Sequence, residues 1–125
     1  EFIRAFQVTD GIIQNNQPLF MLTWVGSIIA ILSSIIIAIV FVGISETWLI
    51  VLVGVVYLLG VQGITISIHI PLNNHLQQVN IDELNAQKLS EERIMFEKKW
   101  NNFNIIRTMI AFSVSVILLL ILAIR

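Results

Sequence analysis

The chain has 125 residues, 57% of them hydrophobic and 12% charged, with a net charge of −1; an ordinary soluble domain carries roughly 25% charged residues. This excludes a water-soluble globular monomer and leaves no basic field with which to hold a nucleic acid. Cysteine does not occur, so disulfides, thiolate metal sites, iron–sulfur clusters and cysteine nucleophiles drop out together.

Residues Glu1 to Ile13 place Phe2, Ile3, Phe6, Asp10 and Ile13 near one face at helical spacing. That is the pattern of an amphipathic helix lying at a membrane interface. Asn15-Asn16-Gln17-Pro18 then supplies cap-type residues and a proline suited to a first helical turn, so a new helix is expected to start there. From Gly11 to Ser45 no Asp, Glu, Lys or Arg occurs. Within that stretch Phe20 to Val42 is almost wholly apolar, and as a helix it is about 34 Å long, enough to cross a hydrocarbon core of about 30 Å. After Gly43-Ile44-Ser45-Glu46-Thr47 a second run extends from Trp48 to Ile70, and the short connection forces an antiparallel hairpin. A third run, Thr108 to Ile124, is lengthened to residue 105 by Ile105, Ile106 and a snorkelling Arg107.

The expected fold is therefore an all-α, multi-pass transmembrane bundle in one domain, 1–125, with spans near 20–42, 48–70 and 105–124. The polar segment 71–103 holds most of the charge. In it Asn80-Ile81-Asp82-Glu83 has the form of a capping box, predicting a helix from about residue 81, and Ser90-Glu91-Glu92 has the form of a second start; one helix or two can fill 81–103, the last able to run directly into the third span. Between the spans, small residues permit close packing: Gly26, Ala30, Ser34 and Ala38 at a four-residue interval, then Gly60, Gly63 and Ser67, then Ala111 and Ser115. These stripes predict seams within the chain, and a homo-oligomer would use the same chemistry. Arg4, Lys88, Arg93, Lys98, Lys99 and Arg107 fall on one membrane side and Arg125 alone on the other. The positive-inside rule thus puts residues 1–17 and the segment 71–103 in the cytoplasm of a cell-membrane protein.

Two clusters stand apart from this background. His69-Ile70-Pro71-Leu72-Asn73-Asn74-His75 closes the second span, and Trp100, Asn104 and Arg107, at i, i+4 and i+7, form a stripe entering the third. Guanidinium stays charged at any accessible pH and needs acceptors near hydrocarbon, which Asn73, Asn74 and Asn104 could supply. One reading is a clamp fastening two helices. The other is a site for an anionic or enolic aromatic ligand, built of Asn73, Asn74, Trp100, Asn104 and Arg107 with His69 and His75 in the same small region. A metal or haem is not expected, because two histidines six apart have no acidic residue between them and nothing in the other spans to complete a shell. No Walker loop, serine-hydrolase elbow or dinucleotide fingerprint occurs. The spans carry no acidic relay or charged pore line, which argues against a transporter or channel.

Pro71-Leu72-Asn73-Asn74, the Trp100-x-x-x-Asn104-x-x-Arg107 stripe, Phe2-Ile3-Arg4-Ala5-Phe6-Gln7 and Asn16-Gln17-Pro18-Leu19-Phe20 together resemble the anthrone oxygenase-like membrane family, over nearly the whole chain. The resemblance implies a four-helix membrane bundle. It also implies, for members with an assigned activity, cofactor-free oxidation of an anthrone to an anthraquinone, for which His69 or His75 would be the base, Arg107 with Asn73, Asn74 and Asn104 the donors to the anion, and Trp100 the side chain stacking on the ring. Members usually carry a further span ahead of the segment resembling Glu1 to Phe20, and since the chain begins at Glu1 rather than methionine, a missing N-terminal span is expected. The position of His69 is more often asparagine in that pattern. The expected partners are the lipid bilayer and a small aromatic or quinone-like ligand. The alternative is a non-catalytic accessory subunit of a membrane complex, or a self-associating structural protein.

Overall fold

The computed structural model describes residues 1–15 and 17–124. It is all-helical, with no strand among the described residues. Helix α1 covers Phe2–Gln14, α2 Pro18–Phe41, α3 Ile44–Gln78 and α4 Ala86–Ile124, and the last three are long and apolar enough to cross a membrane. Asn16, expected as a cap residue, and Arg125, expected as the far-side cation, lie outside the described residues.

Pro18 occupies the first turn of α2 behind an extended Gln17, where its missing N–H costs nothing. At the other end Gly43 adopts φ 98°, a left-handed conformation that side chains other than glycine's resist. Its N–H and that of Val42 both donate to the Ala38 carbonyl. The hairpin is tighter than expected: α3 begins at Ile44, not Trp48, because Gly43 alone makes the reversal and Thr47 Oγ1 folds back onto the Gly43 carbonyl at 2.7 Å.

Helix α3 is the central helix, with α2 on one flank and α4 on the other. Glycines on α3 set both approaches. A Cβ at Gly54 would lie 2.6 Å from Ile35 Cδ1 of α2, and one at Gly60 would lie 2.8 Å from Ile110 Cδ1 of α4. The expected seam along Gly26, Ala30, Ser34 and Ala38 is corrected here. Of these only Ala38 is buried, Ala30 and Ser34 are exposed, and nothing lies within 4 Å of a Cβ at Gly26. The contacting row is one residue over, through Ser27, Ile31 and Ile35, because the small residue that admits close packing sits on α3 and receives isoleucines from α2.

The helix does not stop with the apolar run at Ile70. Helix α3 continues through Pro71 to Gln77, and its middle widens into π-helical turns at Leu58–Gly63 and Thr65–His69. Proline cannot donate to the carbonyl four residues back and its ring crowds that carbonyl. The turns just before it are wide, and the Ile70 N–H reaches the Thr65 carbonyl five residues back, out of the usual four-residue register. Thr65 Oγ1 and Ser67 Oγ donate to the Val61 and Gly63 carbonyls at 2.8 and 2.6 Å, satisfying backbone acceptors that lipid could not.

Outside the spans, expectations are revised in three places. No helix starts at 81: Asn80 Oδ1 accepts from the Asp82 N–H and its amide donates to Glu83 at 2.7 Å, closing a turn. The helix starts at Ala86, where Asn85 Oδ1 accepts the Lys88 N–H at 2.9 Å, a side-chain N-cap. Ser90 lies inside that helix, which runs unbroken from Ala86 to Ile124. The apolar face of α1, expected to lie on lipid, instead packs on protein: Ile3 joins Leu76 and Phe96 in a buried cluster flanked by Phe2, Phe6, Val79 and Ile81.

Candidate functional site

Where α1 meets the ends of the spans, a cavity of about 530 Å³ opens among all four helices. Helix α1 contributes Asp10, Ile13 and Gln14, α2 Phe20, Met21 and Trp24, α3 Thr65, His69, Ile70, Asn73 and Asn74, and α4 Trp100 and Arg107. The size suits a small organic ligand, as does the mix of aromatic walls and a few polar groups.

One wall is organised by Asp10. Its carboxylate is buried and accepts from Asn73 Nδ2 at 2.9 Å, Gln14 Nε2 at 2.7 Å and Gln77 Nε2 at 3.0 Å. Asn73 Oδ1 in turn accepts the Trp100 indole N–H at 3.2 Å. The Asn74 side-chain oxygen accepts from Gln14 at 3.2 Å. Gln7 Nε2 donates to the Leu76 and Val79 carbonyls, both at 2.9 Å, tying α1 to the end of α3. The amides therefore serve the carboxylate, which needs donors in a dry setting.

On the opposite side Arg107 donates to Thr65 Oγ1 at 3.1 Å and to Asn104 Oδ1 at 2.7 Å. Both acceptors are neutral. Among the described residues no carboxylate lies within 4.0 Å of the guanidinium, and a guanidinium has five N–H groups to place. Charge and donors are left over for an anionic oxygen.

Between these walls stands His69, which is 4% exposed, with neither ring nitrogen hydrogen-bonded. Its ring meets the Trp100 indole edge-on, centroids 5.0 Å apart at 73°. Buried polar atoms almost always find partners, so an imidazole with both nitrogens idle beside a cavity is an exception needing a cause. The soft torsion about its Cβ–Cγ bond is the motion that can present either nitrogen to a ligand.

Of the residues expected at the site, His69, Asn73, Asn74, Trp100 and Arg107 line the cavity. Asn104 does not line it and holds Arg107 from behind. His75 is elsewhere, its Nε2 2.9 Å from Glu92 Oε2. Asp10, Gln14, Trp24 and Thr65 were not expected there. Asp10 had a legible signal, a carboxylate on an otherwise apolar helical face. Trp24 had none, since a tryptophan in an apolar run reads as lipid-facing.

The family model described as anthrone oxygenase matches residues 20–117. The chain belongs to the anthrone oxygenase family. The match takes in Trp24, Thr65, His69, Asn73, Asn74, Trp100, Asn104 and Arg107, so three of the four helices lining the cavity fall inside the family pattern, while Asp10 and Gln14 of α1 precede it. Searches of curated proteins and of solved structures found no match.

Proposed function

We propose that this family member binds a planar, acidic aromatic ketone or quinol in the cavity at the head of the bundle and oxidises it with O₂. The observation that carries the reading is His69, a buried imidazole with no hydrogen-bond partner, on a cavity shared with a guanidinium that has no carboxylate beside it. An uncommitted imidazole can take a proton, and a fixed cation can hold the oxygen on which the resulting charge collects.

For an anthrone the steps balance as follows. His69 takes one methylene proton, leaving a carbanion whose charge is delocalised onto the carbonyl oxygen held by Arg107. O₂ accepts one electron from it, and the ring radical and superoxide combine to form a C–O bond. The peroxide takes the proton back from His69 as a hydroperoxide. His69 then removes the remaining proton on that carbon; a C=O forms, the O–O bond breaks, and hydroxide leaves with the proton from His69 as water. One anthrone and one O₂ become one anthraquinone and one water. Trp100, edge-on to His69, is placed to bound the ring plane.

We place the chain in the cell membrane as a single domain, 1–125, with the segment 71–103 in the cytoplasm. The alternative of a non-catalytic subunit draws on the exposed Ala30 and Ser34, which remain open to another helix. The deciding experiment is O₂ uptake with anthrone by the protein in proteoliposomes. Wild type is expected to consume O₂ and yield anthraquinone, and His69→Ala to be slower by at least about a hundredfold. Uptake no faster than in empty liposomes, or unchanged in His69→Ala, would remove the enzymatic reading.

A further inference from the structure

We infer that the cavity takes its ligand sideways from the bilayer, through an apolar window between α1 and α2, and that the ligand is an aromatic ring system bearing a hydrocarbon chain that stays in the lipid; the inference rests on the ligand reading above. The window follows from how the helices pack. Helix α2 rests on the part of α3 that ends at Gly63, and α1 rests on its Ile70–Gln77 part. Between these two supports the turn Thr65–His69 packs on α4. Thr65, His69 and Ile70 line the cavity there, so they form its floor, with α1 on one side of the opening and α2 on the other.

Exposed apolar side chains are the rule on the outer faces of these helices, so exposure alone says nothing. What sets Ile13, Phe20, Met21 and Ile70 apart is that each lines the cavity and is also open to the outside, by 37, 45, 38 and 38%. The polar lining is distributed the other way: Asp10 and His69 are 6% and 4% exposed, and Arg107 and Thr65 are half-buried. A ligand therefore has its oxygen functions inside and hydrocarbon at the mouth. The edge nearest the head is built differently. Along α3 the lining runs from Thr65 to Asn74, and at Asn74 the Gln14 amide donates to its side-chain oxygen at 3.2 Å, bridging α1 to α3. A ring entering from water has that bond to part, whereas one entering from lipid passes between apolar side chains. Phe20 and Met21 belong to the first turn of α2, so the window lies in the half of the bilayer next to the head. A chain leaving through it stays among neighbours as apolar as itself, while a chain leaving past Gln14 and Asn74 would be driven into water.

The test uses quinones that O₂ does not oxidise, so that binding is read apart from turnover. Anthraquinone and its decyl derivative are titrated into the protein in nanodiscs, with free ligand expressed as a mole fraction of the lipid so that partitioning cancels. The two are expected to bind within about threefold of each other, because the chain exchanges one hydrocarbon neighbour for another. The three methionines report where the chain goes: Met21 at the window, Met95 in the head and Met109 farther along α4, all exposed. Their methyl groups are ¹³C-labelled in the wild-type protein, and the decyl chain carries a nitroxide close to the ring. The Met21 resonance, identified by its loss in Met21→Leu, is expected to broaden well beyond the effect of a nitroxide-bearing fatty acid and to recover when excess anthraquinone displaces the probe. Met109 is expected to stay at the fatty-acid level. Broadening of Met95 in place of Met21 would send the chain out through the head. A Met21 methyl that neither probe reaches would be covered by another helix, and a chain that weakens binding by more than about tenfold would mean a closed cavity. Each of these overturns the window and leaves the ligand reading standing. If the protein binds neither quinone, both readings fall.

Discussion

Asp10 and Arg107 are charged side chains on one cavity, and among the described residues neither has an opposite charge within 4.0 Å. Their supports differ in kind, and so do the expected effects of removing them. Asp10 is the acceptor for three amides, Asn73, Gln14 and Gln77, drawn from two helices. Asp10→Ala leaves those donors unmet, and Asp10→Asn places an NH₂ among them. Each is expected to weaken the docking of α1 by about 1–3 kcal/mol, measured as faster hydrogen–deuterium exchange of residues 2–14 with α2 unaffected. Unchanged protection would mean that the amides find water and that Asp10 is not the latch. Arg107 has only neutral acceptors, one of which, Thr65 Oγ1, is also bonded to the Val61 carbonyl. Replacing a partly buried cation with an apolar side chain removes a desolvation cost as well as its bonds. Arg107→Leu is therefore expected to keep the melting temperature in detergent at or above wild type while abolishing O₂ uptake with anthrone. A large loss of thermal stability would instead make Arg107 a clamp.

At the scale of elements, the decisive contact is the isoleucine edge of α2 against Gly54 of α3. Gly54→Leu puts a side chain where Ile31 and Ile35 already sit, and overpacking of this kind is expected to cost about 1–3 kcal/mol. Gly26→Leu enters open space and is expected to cost nothing; thermal denaturation of the two variants in the same detergent distinguishes them. Equal losses would restore the small-residue stripe of α2 as a seam. The three spans themselves were legible because an apolar run long enough to cross lipid admits few other structures. Which row of α2 makes contact was not, since a stripe of small residues records where helices could approach and not which partner supplies the large ones. The head was misread for a related reason. Asn80 and Asn85 are both cap-type residues, and it is Asn80 that has the Glu three residues on of a capping box. Burial of Val79 and Ile81 against the Ile3, Leu76 and Phe96 cluster holds the earlier one in a turn. Pro71 reads as a stop under ordinary helix rules, and only the π-helical turns before it let α3 carry Asn73 on to Asp10. The site followed the same division. His69, Trp100 and Arg107 were visible by chemistry and spacing, and Asp10 by a carboxylate on an apolar helical face, whereas Trp24 joins the cavity lining only through the way α2 meets α3.

At the scale of the whole molecule, the bundle has two unlike ends. One carries α1, the end of α3 and the first half of α4, with Arg4, Lys88, Arg93, Lys98 and Lys99 among them; the other is the tight turn at Gly43. Between them run helices whose outer faces are almost wholly apolar, Leu19, Phe41 and Leu119 among the exposed side chains, as a lipid environment requires. The asymmetry in basic residues predicts which end faces the cytoplasm. It also predicts from which side a ligand reaches the cavity, because the cavity lies where α1 covers the spans. A chain without cysteine makes this directly testable, since single substitutions at the exposed Ser45 and Ser90 report one end each. In intact cells a membrane-impermeant maleimide is expected to label Ser45→Cys and to reach Ser90→Cys only after permeabilisation. The reverse pattern would put the head outside, turn the mouth of the cavity away from the cytoplasm, and require the aromatic substrate to arrive from the other side of the membrane.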